Sequence, residues 1–212
     1  MYKINFYRDI NGNEPVAEYI NGLSKKNDKD SRLNLKKIQD YINILREYGK
    51  SAGEPYMKHI DGEIWELRPM RNRILFVAWN GDGFILLHHF IKKLKKRLRG
   101  KLKRQKRNIK IYSKGVLKMS NSAIGRSWEE FEKTVFTPNE IAESNLRVAI
   151  IGSLIKARQE QGISQKKLEE LSGIKQPVIA RMEKGLTNPQ LETFLKVLEP
   201  LGMTLKVVPI SE

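Results

Sequence analysis

The sequence predicts two domains: an α+β first half, with a small sheet carrying helices on one face, and an all-α second half built on a helix-turn-helix with a short terminal strand. Three observations predict this. Residues 1–118 hold 28 Lys and Arg against 12 Asp and Glu, while 119–212 hold 12 of each, so the net charge of +16 lies wholly in the first half. The hydrophobic period changes at Gly49, from helical spacing to short β-branched and aromatic runs. Residues 163–189 carry the apolar spacing and the turn glycine of two short crossing helices. The predicted boundaries are 1–93, a basic junction 94–118, and 119–212 with the helix-turn-helix at 164–184.

In the first half, Tyr2–Tyr7 alternates like a strand, and Pro15 opens a short helix over Val16–Leu23. Leu33, Leu35, Ile38, Tyr41, Ile42 and Leu45 recur at helical spacing, which predicts a long amphipathic helix over Ser31–Tyr48 stopped by Gly49. Three strand-like runs follow, Glu63–Arg68, Arg73–Trp79 and Phe84–Phe90. Asn80-Gly81-Asp82-Gly83 joins the last two as a hairpin signal.

Cations crowd this meander. Lys58, Arg68, Arg71 and Arg73 precede or lie on its first two strands, and His88, His89, Lys92 and Lys93 close its third. Strands ~5 Å apart can converge such side chains on one phosphate. That grouping suits RNA cleavage by attack of a ribose 2′-OH, which needs a base, an acid and cations but no metal. Either His could move the proton. Solvated sheet cations and a packed His would produce the same pattern, and spacing alone leaves both readings open. With no Cys and only three His in the chain, neither a disulfide nor a zinc cluster is expected, and no cofactor is implied. The N-terminus lacks a signal-peptide core and no run reaches ~20 apolar residues, so a soluble cytoplasmic protein is expected.

In the second half, Leu168, Leu171, Ile174, Ile179 and Met182 fall where two packed helices need apolar residues, with Gly173 at the turn. Ser164 is placed to cap the first helix and Pro177 to sit in the first turn of the second. Gln165, Lys175, Gln176 and Arg181 fall outside the apolar set and are candidates for DNA contact, since Gln pairs with adenine edges and Lys or Arg with guanine or phosphate. An ordinary helical hairpin with a solvated polar face is the competing reading. Upstream, Trp128, Phe131, Val135 and Phe136 form an apolar stripe beside Glu129, Glu130, Glu132, Glu140 and Glu143. This segment is either a clamp for the basic half or a helix packed on its own domain.

Between Lys92 and Lys118 lie 14 Lys and Arg and no acidic residue. Such a run reads as a solvated or nucleic-acid-binding arm. A shifted reading frame over an adenine-rich stretch would also produce it, and Met119 opens MSNSAIG as a separate start would.

ISQKKLEELSGIKQPVIARMEKGLTNP, continued by PQLETFLKVLEPLGMTLKVVP, resembles the Cro/repressor-like (XRE) antitoxins of HigA type, over Ala123 to Pro209. That family usually carries a small residue where Glu169 stands. GEIWELRPMRNRILFVAWNGDGFILLHHFIKK is similar to the HigB-type toxins of the RelE superfamily, over residues 1–93. These resemblances imply a RelE-like fold and a ribosome-dependent, metal-independent mRNA endonuclease. Arg68, Arg73, His88, Lys92 and Lys93 stand at motif positions, while His89 stands where relatives carry a small residue, and Lys58 and Arg71 would bind RNA. Trp128, Phe131, Glu129, Glu130 and Glu132 would neutralise the toxin, with the carboxylates over its cationic sheet. The implied partners are mRNA on the ribosome, operator DNA, and a toxin–antitoxin contact within or between chains. The antitoxin half is expected to form a homodimer on palindromic DNA, with Thr204–Val208 as a pairing edge. The alternative is a transcription regulator whose basic half is a non-catalytic nucleic-acid clamp. A nucleoid-type structural protein would fit the charge but not the repressor-like motif.

Overall fold

The computed structural model describes residues 1–92 and 123–208. It divides into two compact units, Met1–Asn145 and Leu146–Glu212. The basic junction 94–118 and Lys93 lie outside the described residues. Residues 123–145, which follow that junction, fall within the first unit.

In the first unit, β1 (Lys3–Tyr7) leads to α1 (Pro15–Ser24) and α2 (Lys29–Tyr48). Then come β2 (Met57–Asp61), β3 (Ile64–Leu67), β4 (Asn72–Trp79) and β5 (Gly83–Ile91). Pro15 lies in the first turn of α1. Asp28 caps α2 by accepting the Ser31 N–H at 2.8 Å, and Gly49 ends it at a φ of 57°. β2 adds a strand to the three expected. It forms a hairpin with β3 over Gly62-Glu63, where Gly62 takes a φ of 51°.

The six-stranded sheet has the order β2-β3-β4-β5-β1-β6, with β1 parallel to β5 and the other pairs antiparallel. β6 (Ile124–Ser127) comes from beyond the basic junction and pairs with the β1 edge at Asn5↔Ser127 and Tyr7↔Ile124. An open edge leaves backbone donors and acceptors without partners, and β6 supplies them. Four residues that include Gly125 have little strand propensity of their own, so the pairing makes this strand. α3 (Trp128–Val135) follows, and α4 (Pro138–Glu160) carries the chain into the second unit.

Register assigns the two faces of the sheet. Ile4↔Phe84, Phe6↔Leu86 and Ala78↔Phe84 share the face against which α1 and α3 pack. Ile64↔Val77↔Ile85 share the other face, where buried Leu75 and Leu87 join them.

The second unit packs Leu154 of α4, Leu168 of α5 (Gln165–Ser172), Ile179 and Met182 of α6 (Gln176–Glu183), and Phe194, Val197 and Leu198 of α7 (Leu191–Leu198) into one core with Leu201. Ser164 caps α5 by accepting the Lys167 N–H, and Gly173 ends it in the left-handed region at φ 70°. Two expectations are corrected. Leu171 is 48% exposed rather than core, because Leu168 takes the inward position of that turn. Thr204–Val208 forms no strand in the single chain, and Val207 is 98% exposed, since an isolated strand has no ladder partner. Among the described residues, no helix is long and apolar enough to cross a membrane.

Candidate functional site

The row Lys58↔Glu66↔Leu75↔His88 runs across β2, β3, β4 and β5, and directly opposed residues share a face. Beside it, Arg73 Nε lies 3.3 Å and Arg68 Nε 3.5 Å from Glu66 Oε1. Arg68 Nη1 also reaches Glu54 at 3.7 Å. Arg73 is buried, and its Nη1 donates to the Met70 carbonyl at 3.0 Å, so its guanidinium is held from two sides. Lys58, Arg71 and Lys92 are exposed at the rim, where the Lys92 N–H donates to the Arg71 carbonyl at 2.8 Å. Sequence reasoning brought Arg68, Arg73, His88, Lys58 and Lys92 to this end of the sheet and overlooked Glu66. The signal was alternation: in Glu66-Leu67-Arg68, acid and arginine must share a face.

Glu66 is the acid within this cationic set. Burial raises its carboxyl pKa, while Arg73, Arg68, Lys92 and Lys58 act in the opposite sense. A carboxylate so placed stands closer to neutrality than an exposed one and is suited to accept a proton.

The two histidines diverge because the register between β4 and β5 shifts by one residue. Leu75 opposes His88 and Phe76 opposes Leu86, which leaves Leu87 extra. This bulge turns His88 onto the Glu66 face and His89 onto the helix face. His88 has its pKa lowered by burial. His89 stacks on Tyr19, with ring centroids 3.7 Å apart and planes at 13°, and burial drives its pKa down to about 4, with His88 adding to the shift. The Tyr19 hydroxyl donates to Asn72 Oδ1 at 2.6 Å, and Asn72 Nδ2 donates to Asn34 at 2.8 Å. His89 is thus a neutral packing group, and His88 is the imidazole on the Glu66 face of the sheet.

The acidic segment 128–144 sits elsewhere. Trp128 and Phe131 are 1% and 0% exposed, edge-on to Phe6 at 6.2 and 4.9 Å between ring centroids. Trp128 Nε1 donates to Asn43 Oδ1 at 2.8 Å. Glu132 is buried against α2: its Oε1 accepts from Gln39 and Asn43, each at 2.9 Å, and its Oε2 from Arg46 at 3.4 Å. Glu129 and Glu130 are exposed. The carboxylates therefore do not form the expected cover over the cationic sheet; Glu132 is drawn to amide and guanidinium donors on α2, and Arg68 and Arg73 pair with acids of their own half.

In the second unit, Gln165, Gln176, Lys175 and Arg181 gather at the start and outer side of α6. Buried Glu183 accepts Arg158 Nε at 2.6 Å and Gln165 Nε2 at 2.6 Å. Gln165 Oε1 accepts from Gln176 Nε2 at 2.7 Å. Glu169 accepts the Gln176 backbone N–H at 3.1 Å and meets Lys175 Nζ at 3.3 Å. Arg181 is exposed, its Nε donating to the Pro177 carbonyl at 3.1 Å. Among the described residues, no group of three or more His, Cys, Asp or Glu is placed to hold a metal ion.

Comparison with known families matches residues 154–208 to a helix-turn-helix family and residues 18–111 to the family described as phage derived protein Gp49-like. An uncharacterised HTH-type transcriptional regulator of Haemophilus influenzae is 64% identical over 89 residues, 42% of this chain and 91% of the relative. A solved toxin–antitoxin module from Streptococcus pneumoniae is 61% identical, aligning over 42% of this chain and 100% of that chain with a TM-score of 0.39.

Proposed function

We infer, from the premise that this chain belongs to the helix-turn-helix family of transcriptional regulators and carries a Gp49-like first half, that it is a toxin–antitoxin pair in one polypeptide. The observation that carries this reading is the seating of residues 124–145 on the basic half. β6 occupies the β1 edge, and Trp128, Phe131 and Glu132 are buried against Phe6 and α2. The bulky segment excludes a ribosome-sized target from that edge while leaving the cationic cluster formed.

The cluster favours ribosome-dependent mRNA cleavage. Arg68 and Arg73 hold the scissile phosphate and the charge that grows on it, with Lys58, Arg71 and Lys92 steering the strand. Glu66 takes the proton of the ribose 2′-OH as its oxygen attacks phosphorus. The bond to the 5′-oxygen breaks, and His88 or Lys92 protonates that oxygen, leaving a 2′,3′-cyclic phosphate and a 5′-hydroxyl. Gln165, Gln176, Lys175 and Arg181 read the operator of the pair's own genes as a homodimer, which gives autorepression.

The test is expression of the full chain carrying Trp128→Ala and Phe131→Ala, with and without Arg73→Ala. Growth arrest with primer-extension stops in mRNA, abolished by Arg73→Ala, is expected. Arrest that persists with Arg73→Ala, or none from a chain whose segment has come loose, would refute the reading.

A further inference from the structure

Glu169 lies on α5, and its side chain reaches across the turn to the start of α6. That helix has no side-chain cap from its own N-cap residue, Lys175. Glu169 supplies one: its Oε2 accepts the Gln176 N–H at 3.1 Å, while its Oε1 holds Lys175 Nζ at 3.3 Å. Gln176 is fixed a second time, through its amide to Gln165 at 2.7 Å. One carboxylate therefore tethers two adjacent residues of the candidate reading surface.

A lysine and a glutamine differ in what they do at DNA. A glutamine in fixed orientation discriminates adenine by paired hydrogen bonds, and a directed lysine discriminates guanine. A lysine free to swing satisfies itself on any backbone phosphate, which adds affinity without selectivity. The Glu169 carboxylate, at the amino end of α6, also repels a phosphate from a place that helix dipoles otherwise favour.

We propose that Glu169 is a positioning residue for sequence reading: it directs Lys175 and Gln176 to base edges and withholds Lys175 from the DNA backbone. This rests on the reading of Gln165–Glu183 as a DNA reader.

The probes are a duplex enriched from a random library by the full wild-type chain and a shuffled duplex of equal composition, titrated across a range of KCl. Glu169→Gln keeps an oxygen for the Gln176 N–H and removes the charge that tethers Lys175. It should bind the shuffled duplex about five- to tenfold more tightly, with a log–log salt slope steeper by about 0.9 per chain, one extra phosphate contact. The ratio of selected to shuffled affinity should fall by a similar factor, and base preference beside the Gln176 contact should relax. Adding Lys175→Ala should remove the extra slope. Equal weakening on both duplexes, with unchanged slope and a lowered melting temperature, would make Glu169 a structural cap only. Extra slope that survives Lys175→Ala would equally overturn the proposal. If the wild-type chain enriches no duplex, the DNA-reading assignment itself fails and the proposal with it.

Discussion

Arg126 is clasped at two points by Glu14: its backbone N–H donates to Oε1 at 2.9 Å and its Nε to Oε2 at 2.8 Å. The acid comes from the basic half and the cation from β6, the strand that leads into the acidic segment, the reverse of what the charge pattern suggests. Arg8 also reaches Glu14 at 3.2 Å. Burial works to raise the Glu14 pKa, but the Arg126 amide and guanidinium together with Arg8 outweigh it and hold the carboxyl low. At neutral pH the clasp is fully charged, and it fixes β6 against the sheet edge.

Gly125 makes that approach possible. A Cβ there would clash with Glu14 Oε1 and lie 3.0 Å from the Phe6 carbonyl oxygen, so backbone or carboxylate must give way. Gly125→Val in the full chain is expected to lift β6 and to release the first half, read as growth arrest on induction. A variant that grows like wild type, with an unchanged melting temperature, would show that the strand accommodates a side chain.

Trp128 and Phe131 should dominate the hold of this segment. Truncating a buried Trp or Phe to Ala costs roughly 3–5 kcal/mol, against about 0–1 kcal/mol for an exposed charge. Trp128→Ala is therefore expected to lower stability far more than Glu129→Lys with Glu130→Lys. Glu132→Ala should fall with the first class, since it leaves donors of Gln39, Asn43 and Arg46 without their acceptor. Urea midpoints of the three variants check the order.

The elements that rest on local pattern were legible: the Ser31–Tyr48 helix, the Asn80–Gly83 hairpin, and the Ser164 and Gly173 boundaries all have near neighbours as their cause. β6 was not, because its cause is the β1 edge, remote in sequence. β2 lay between, since its charged alternation is weak but Gly62 marks its hairpin. The cationic cluster was legible in its residue types, but the facing of His88 and His89 was not. Strict alternation from Phe84 would put His88 with Leu86 on the helix face; the extra Leu87 reverses both histidines, and no composition rule places a bulge.

His89 carries a pH dependence with a defined sign. Its native pKa of about 4 lies below the ~6.5 of an unfolded histidine, so the unfolded chain binds the proton more readily. The stability it contributes is intact above pH ~6.5 and is lost as pH falls toward 4, about 2 kcal/mol by pH 5. His89→Phe keeps a ring on Tyr19 and removes the titration. Between pH 7 and 5 the wild type should lose about that much more than the variant in urea unfolding, and parallel losses would refute the assignment.

Gln176→Ala should weaken binding to the selected duplex by ~1–3 kcal/mol and leave the shuffled duplex nearly unaffected. Its amide lies against Gln165, so Gln165→Ala should reproduce part of the effect by unfixing Gln176. Equal losses on both duplexes would show that Gln176 reads no base.

Catalysis gives the sharpest expectation, because Glu66 and Arg73 can be separated by their kinetics. Arg73 is buried with its guanidinium beside Glu66 and the Met70 carbonyl, an arrangement that a lysine ammonium cannot reproduce. Arg73→Lys is therefore expected to retain the charge and still lose ~3–4 kcal/mol of transition-state stabilisation, the magnitude found when one oriented donor is removed. Glu66→Gln keeps the shape and removes the proton acceptor. Cleavage by the released chain should fall ~10²–10⁴-fold, and the acidic limb of its pH–rate profile should vanish. That limb should lie above the range of an exposed carboxylate, since burial raises the Glu66 pKa. His88→Ala should remove the basic limb if His88 is the acid, and leave it if Lys92 holds that role. A Glu66→Gln variant that cleaves at the wild-type rate, with both limbs unchanged, would make Glu66 a spacer between arginines and move the base elsewhere.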